Sequence, residues 1–256
     1  MNYHEILTQH QKRVVMNPER SIIIAGVQRS CTSFLCDALQ KLGNVGLLAE
    51  HFVKMVEPQW IENKEIEDIR NRIETAIQEG STANGIFGLK IMWNTYCDFM
   101  KIVKQLPELK TIEDKQILQS LFGNITYIWI RRRDKTRQAV SWAKAAQTGK
   151  FSLREGNETT STIDLQFNFQ FISNLYKLIE EGETGWASYF EAIKADVVKV
   201  YYEDLVNNVD QELTRIMDHC QLNKNVSITT SDIIFLRQSD NINEEWVELF
   251  NESSTN

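Results

Sequence analysis

The fold is decided by residues 21–43, SIIIAGVQRSCTSFLCDALQKLG. The stretch opens with an uninterrupted run around three β-branched isoleucines, which is typical of a strand buried on both faces of a parallel sheet. Gly26 allows the chain to turn, and from Thr32 onward apolar residues recur at helical spacing until Gly43, a helix stop signal. The stretch therefore predicts a strand, a turn and a helix in succession.

The rest of the chain repeats this alternation of strand and helix patterns. Further buried strands are predicted at 86–93, 125–130 and 197–202. The helical patterns cover 57–78, closed by Gly80, a segment that starts at Phe167 and stops before Gly182, and 207–219. We therefore predict an α/β fold with a central, mostly parallel sheet flanked by helices, in a single domain over 1–256 with a helical insertion near 57–80.

The overall charge implies that any anion site on this chain is local. The chain has 28 Lys and Arg against 35 Asp and Glu, a net charge of -7, which disfavours nucleic acid and anionic membrane surfaces as partners. The four cysteines lack metal-ligand spacing, so no metal site is predicted and a reduced chain is expected. No signal peptide or integral membrane segment is recognisable, and the expected location is cytoplasmic.

Two strand-to-helix junctions carry candidate anion-binding groups. The first holds Arg29, Ser30, Thr32 and Ser33 beside the unpaired backbone N–H groups that begin a helix. At the second, about a hundred residues later, a run of three arginines ends at Arg133 and is followed by a helix with Asp134 as its N-cap and Gly149 as its end.

The second junction supplies a charge and a hydroxyl at a fixed spacing. Arg133 offers a planar fork of donors to a phosphate, and Ser141 lies eight positions further on, two turns into the helix. The neighbouring Arg131 and Arg132 are interpreted as bystanders. Two such sites can each hold one phosphate of the same nucleotide, as an adenosine phosphorylated at both its 3′ and 5′ ends requires.

Two other function classes fit parts of this pattern. A P-loop kinase acting on a small hydroxyl substrate would need G-x-x-x-x-G-K-[ST], but Cys31 and Thr32 stand where the second Gly and the Lys belong. A catalytically inactive nucleotide-binding protein would keep the anion sites without a working base. Magnesium-dependent ATP binding would indicate the kinase, whereas a lack of turnover would indicate the inactive protein.

Several short blocks along the chain resemble one enzyme family. The blocks are Gln28-Arg29-Ser30, Glu50-His51-Phe52, residues 88–94 (GLKIMWN), Arg133 with residues 138–141 (QAVS), Gln147-Thr148-Gly149 and Arg237-Gln238. In these blocks the sequence is similar to the trehalose 2-sulfotransferase-like family of bacterial carbohydrate sulfotransferases.

The resemblance implies a P-loop-like sulfotransferase fold and 3′-phosphoadenosine 5′-phosphosulfate (PAPS) as co-substrate, with adenosine 3′,5′-bisphosphate (PAP) as product and no metal. It places Arg29 and residues 30–33, including Cys31, around the 5′-phosphosulfate. Arg133 and Ser141 would hold the 3′-phosphate, and Arg237 and Gln238 would complete the donor site. Cys31 departs from the usual Gly, so the approach of the backbone to the phosphate is expected to differ.

The resemblance also implies which residues act on the acceptor. Glu50 matches the general base and Arg29 the catalytic cation, with His51 as the rival base. Glu50, His51 and Trp93 are the expected acceptor contacts, and the acceptor is expected to be a carbohydrate or glycolipid hydroxyl. The resemblance is also compatible with a homodimer.

Overall fold

The structure is a computed structural model that describes residues 18–41, 45–149, 151, 165–222 and 241–254. In these residues the chain forms one sheet of four strands. The strands are β1 (Arg20–Gly26), β2 (Ile86–Met92), β3 (Asn124–Arg131) and β4 (Val197–Tyr201). All four lie where the apolar runs of the sequence predict strands.

The sheet is entirely parallel, with strand order β2-β1-β3-β4. β1 pairs with both β2 and β3 along nearly its full length, with Ile24 opposite Lys90 on one side and opposite Ile128 on the other. β1 therefore has β2 on one side and β3 on the other, and the strand order reverses direction at β1. Such a reversal creates a topological switch point at the carboxyl end of β1, which is the usual ligand position in open α/β sheets.

Helices cover both faces of this sheet. In chain order they are α1 (Thr32–Lys41), α2 (Pro58–Asn63), α3 (Ile66–Gly80), α4 (Trp93–Val103), α5 (Asp114–Phe122), α6 (Lys135–Thr148), α7 (Phe169–Ile193), α8 (Tyr202–Asn207), α9 (Val209–His219) and α10 (Asn241–Ser254). Short 3-10 helices occupy Val53–Val56 and Pro107–Leu109. The predicted α/β class, a parallel sheet between helices, is confirmed.

Side chains of alternate residues in the strands enter two separate cores. Ile23 and Ala25 of β1 pack with the aromatic residues of α4 and α7, whereas Ile22 and Ile24 pack with α1 and α9. The same alternation holds in β3, where Trp129 belongs to the first core and Ile130 to the second. A strand buried on both faces needs apolar side chains at every position, which explains the continuous runs in the sequence.

Two helix predictions differ from the structure. The predicted helix 57–78 is divided into α2 and α3, because Lys64 has an extended backbone and Glu65 begins a new helix in a reciprocal capping box with Asp68. The predicted stop at Gly182 is wrong, since α7 continues through it to Ile193. A β-carbon at Gly182 would lie 2.7 Å from Val27 Cγ2, so this glycine permits close packing of α7 on the β1 loop.

The ends of α6 are as the sequence predicts. Asp134 accepts a hydrogen bond from the Arg137 backbone N–H, and Gly149 ends the helix in the left-handed conformation with φ 68°. Within the described ranges, no helix has both the length and the apolar character needed to cross a membrane.

Candidate functional site

The candidate site lies at the carboxyl edge of the sheet. Because all strands are parallel, the segments that follow β1, β2, β3 and β4 meet at the same edge. These segments begin with Val27, Trp93, Arg132 and Tyr202 respectively. The predicted residues 29–33, Trp93 and Arg133 therefore lie in segments that meet at this edge.

The loop after β1 has an unusual backbone that suits an anion. Arg29 and Cys31 both adopt left-handed conformations, with φ 66° and φ 76°, on either side of Ser30. The Val27 carbonyl accepts hydrogen bonds from the Ser30 backbone N–H at 3.3 Å and from Ser30 Oγ at 2.7 Å. Turns of this kind direct successive N–H groups into a concavity at a helix N-terminus, where anions bind.

Cys31 takes the conformation that a glycine would favour. Its positive φ costs a residue with a β-carbon about 1–2 kcal/mol. Burial raises the pKa of the Cys31 thiol to about 12, against the opposing effects of Arg132 and Arg29. The thiol is therefore neutral at physiological pH, and Cys31 serves the loop through its backbone.

Hydrogen bonds from three other elements fix this loop. Gln28 Nε2 donates to Asn94 Oδ1 at 2.7 Å, and the Gln28 carbonyl accepts from Gln138 Nε2 at 2.7 Å. Trp186 Nε1 donates to the Gly26 carbonyl at 2.9 Å from within the core. Gln138 is fully buried, so the loop and α6 are held together as one unit.

The structure brings together two residues predicted for different phosphates. Arg29 Nε donates to Ser141 Oγ at 3.0 Å, across 112 positions of sequence, and Arg29 NH1 donates to the Phe151 carbonyl at 2.5 Å. Burial is the main reason that the pKa of Arg29 is lowered, and the nearby positive charge of Arg132 adds to this. The first loop and α6 therefore face one shared space.

Arg133 lies at the same edge but is paired with a carboxylate. Its two terminal nitrogens each lie 2.7 Å from a carboxylate oxygen of Asp204, and its backbone N–H donates to Glu203. The guanidinium carbon lies 4.1 Å from the centroid of the Tyr201 ring. About half of the Arg133 side chain is exposed, so a ligand could reach it. Because both terminal nitrogens contact Asp204, a phosphate would have to displace this carboxylate.

Glu50 is joined through Lys90 to the candidate phosphate loop, residues 27–33, whose last two residues begin α1. Lys90 Nζ lies 2.8 Å from Glu50 Oε1 and 3.4 Å from Ser33 Oγ, and the lysine side chain is only 13% exposed. A lysine in the middle of the apolar strand β2 is the sequence signal for this contact, and the sequence-based site prediction did not include it. The lysine places a positive charge between the candidate base and the loop.

His51 is buried and faces the backbone. Its Nε2 lies 2.9 Å from the Leu47 carbonyl and 3.1 Å from the Gly88 carbonyl, and the ring is 6% exposed. Because carbonyl oxygens only accept hydrogen bonds, Nε2 must carry a proton. This nitrogen therefore cannot accept a proton from an acceptor hydroxyl.

Trp93 is part of an aromatic cluster. Its ring centroid lies 5.2 Å from that of Tyr96 and 5.1 Å from that of Trp186. The ring rests on α7 at Gly185, where a β-carbon would lie 2.1 Å from its Cε2 and Cζ2 atoms. Trp93 is only partly buried, so packing leaves part of the residue accessible at the edge of the sheet.

Two predicted donor-site residues, Arg237 and Gln238, lie outside the described residues. Within the described residues, no three His, Cys, Asp or Glu side chains are grouped so that they could hold a metal ion. Thr32 and Ser33 are the first residues of α1, directly after the loop, with Thr32 buried and Ser33 facing Lys90.

Comparison with known proteins finds two similar enzymes of known activity. The chain is 23% identical over 259 aligned residues to trehalose 2-sulfotransferase of Mycolicibacterium smegmatis, covering 91% of this chain and 95% of that protein. It is 23% identical over 172 residues to trehalose 2-sulfotransferase of Mycobacterium tuberculosis, covering 67% and 62% of the two chains.

A solved structure and a family profile complete the comparison. A sulfotransferase from Alicyclobacillus acidocaldarius is 12% identical, with a TM-score of 0.47 and 94% of each chain covered. The family profile described as Stf0 sulphotransferase matches residues 21–253, which is nearly the whole chain. This chain therefore belongs to the Stf0 sulphotransferase family.

Proposed function

We propose that this protein transfers a sulfonate group from PAPS to a hydroxyl of a carbohydrate or glycolipid acceptor. The observation that carries the proposal is the chain of contacts Glu50–Lys90–Ser33, which joins a carboxylate to the phosphate loop over 2.8 Å and 3.4 Å. A sulfotransferase needs a base for the acceptor hydroxyl and a cation for the donor. Glu50 and Lys90 would supply these two groups.

The donor would occupy the carboxyl edge of the sheet. The loop from Arg29 to Ser33 would bind the 5′-phosphosulfate through its backbone N–H groups and hydroxyls. Ser141 and Arg133 would bind the 3′-phosphate, after Arg133 exchanges Asp204 for phosphate oxygens. The contact between Arg29 and Ser141 supports a single ligand that spans both segments. Arg237 and Gln238 are proposed to complete this site by resemblance alone.

In the proposed reaction Glu50 removes the proton of the acceptor hydroxyl. The hydroxyl oxygen forms a bond to sulfur while the bond from sulfur to the bridging phosphate oxygen breaks, so that the electron pair leaves with PAP. Arg29 and Lys90 stabilise the negative charge that develops on the bridging oxygen. A general base of this kind contributes about 10²–10⁴-fold to the rate.

The acceptor would approach from the side of Glu50. Both similar proteins named above are trehalose 2-sulfotransferases, which supports a carbohydrate acceptor. We propose that the accessible part of Trp93 contacts the sugar. His51 would act from beneath the site, by holding the Leu47 and Gly88 backbone next to Glu50.

The test has a binding part and a turnover part. Calorimetry should show metal-free binding of PAP and no magnesium-dependent binding of ATP. Conversion of PAPS to PAP should depend on an acceptor from a panel that begins with trehalose and includes glycolipids. ATP binding without PAP binding would replace the proposal with the kinase, and PAP binding without turnover on any acceptor would replace it with an inactive nucleotide-binding protein.

A further inference from the structure

The three consecutive arginines at the end of β3, Arg131 to Arg133, differ in how their charges are neutralised. Arg131 donates to Glu183 at 2.6 Å and to the Tyr201 hydroxyl at 3.3 Å. Arg133 forms the two-point contact with Asp204. Across the described ranges, no carboxylate forms an ion pair with Arg132, which distinguishes it from both neighbours. Its buried Nε atom has no hydrogen-bond partner, a property it shares with Arg131 Nε.

The alternation of β3 explains this difference. Trp129 and Arg131 point to the face covered by α7, where Glu183 lies, whereas Ile130 belongs to the core on the α1 face. Arg132 follows Ile130 by two positions, which places it on the α1 face, the face on which Cys31 packs. Its guanidinium carbon lies 4.6 Å from the centroid of Tyr202, the first residue of α8.

Arg132 therefore stands beside the phosphate loop. Cys31 packs on the core of this same face of the sheet. In keeping with this position, the positive charge of Arg132 acts to lower the pKa of Cys31 and the pKa of Arg29. Two arginines close together repel each other, and a desolvated Nε–H without an acceptor costs free energy. A dianion between Arg29 and Arg132 would remove both costs.

We propose that Arg132 binds a phosphate group of the donor nucleotide, and that it does so in addition to Arg133. Its Nε–H and terminal N–H groups would donate to phosphate oxygens, while the Tyr202 ring holds the plane of the guanidinium in place. The inference rests on the proposed function. It corrects the interpretation of Arg132 as a bystander, which the sequence could not separate from its two neighbours.

Calorimetric titration with PAP tests the role of Arg132. Arg132→Met keeps most of the apolar stem over Tyr202 and removes the charge, and Arg132→Gln is a second neutral variant. Each is expected to weaken PAP binding about 10–100-fold, as loss of a charged hydrogen bond implies. Arg132→Lys should recover part of this loss. The control Arg70→Met removes an exposed arginine paired with Glu108 and should leave PAP binding unchanged.

Thermal unfolding separates a binding role from a structural one. If Arg132 only supports the fold, its neutral variants will unfold at lower temperature without ligand. We expect the free variants to be as stable as the wild type or more stable, because an unpaired charge is removed, and we expect the stabilisation by PAP to shrink. Titrations with adenosine 5′-phosphate and adenosine 3′-phosphate identify which phosphate Arg132 contacts. The nucleotide that lacks this phosphate should bind Arg132→Met and the wild type with the same affinity.

The outcomes for the inference and for the proposed function are distinguishable. Failure of the wild-type protein to bind PAP would remove the proposed function, and this inference with it. Binding of PAP by the wild type, together with binding by both folded neutral variants within about twofold, would overturn the role of Arg132 alone and leave the proposed function in place.

Discussion

Replacing Lys90 by methionine tests the contact on which the proposed mechanism depends. The lysine ammonium lies 2.8 Å from Glu50 Oε1 and 3.4 Å from Ser33 Oγ, and most of its side chain is removed from solvent. Methionine keeps a similar length and removes the charge. The variant therefore separates the electrostatic role of Lys90 from its packing in β2.

The structure sets the size of the effect. Two opposite unit charges 2.8 Å apart attract each other by about 6 kcal/mol at an effective dielectric of about 20. Desolvation offsets most of this, which leaves about 1.5–3 kcal/mol for one charged hydrogen bond. Because Glu50 is 31% exposed and can turn to water, we expect a small stability loss. The rate should fall more, about 10²–10³-fold, as for removal of a donor aimed at developing charge.

The assay is a double-mutant cycle of Lys90→Met and Glu50→Gln, with initial rates of PAP formation from PAPS and the acceptor that the panel identifies. Because both residues act on the same transfer, the double variant should be little slower than the slower single variant. Lys101→Met is the matched control, since Lys101 forms an exposed ion pair with Asp98 at 2.7 Å on α4. The coupling would be refuted if Lys90→Met turned over within about threefold of the wild type. It would also be refuted if the rate loss of the double variant equalled the product of the two single losses.

Three further predictions concern stability, measured by urea unfolding. Cys31→Val should be less stable than Cys31→Gly by about 2 kcal/mol or more, because a β-branched residue is strained at φ 76°; equal stability of the two variants would contradict the left-handed loop. Gly185→Ala should lower the free energy of unfolding by about 1–3 kcal/mol through the clash with Trp93. Thr184→Ala, on the exposed side of α7, should leave it unchanged. Equal effects of the two substitutions would disprove the close packing. Burial raises the pKa of Cys36 from 9.0 to about 12, so its contribution to stability is complete below pH 9 and is lost between pH 9 and pH 12. Wild type should therefore lose about 1.4 kcal/mol more than Cys36→Ala between pH 8 and pH 10, and parallel pH profiles would exclude this effect.

The sequence by itself determined the strands and the ends of several helices. The runs at Ser21–Gly26 and at 125–130 indicate strands buried on both faces, because their apolar residues are continuous, mostly β-branched or aromatic, and too few for a helix. Asp134 and Gly149 mark the ends of α6 through hydrogen bonds and backbone conformations that involve only neighbouring residues. Such features depend on short-range sterics and periodicity, which a local stretch of sequence contains.

The tertiary structure alone decided which partner each polar side chain has. Nothing near Lys90 in the sequence shows that it contacts both Glu50 and Ser33, and nothing near His51 shows that its ring faces two carbonyls. Gly182 looks like a helix stop until the packing of α7 on Val27 is known. Three adjacent arginines are chemically identical in the sequence, but Arg131 meets Glu183, Arg133 meets Asp204, and Arg132 lies over the ring of Tyr202. All of these contacts except that of His51 with Leu47 join residues tens to more than a hundred positions apart, and only the folded sheet sets which of them meet.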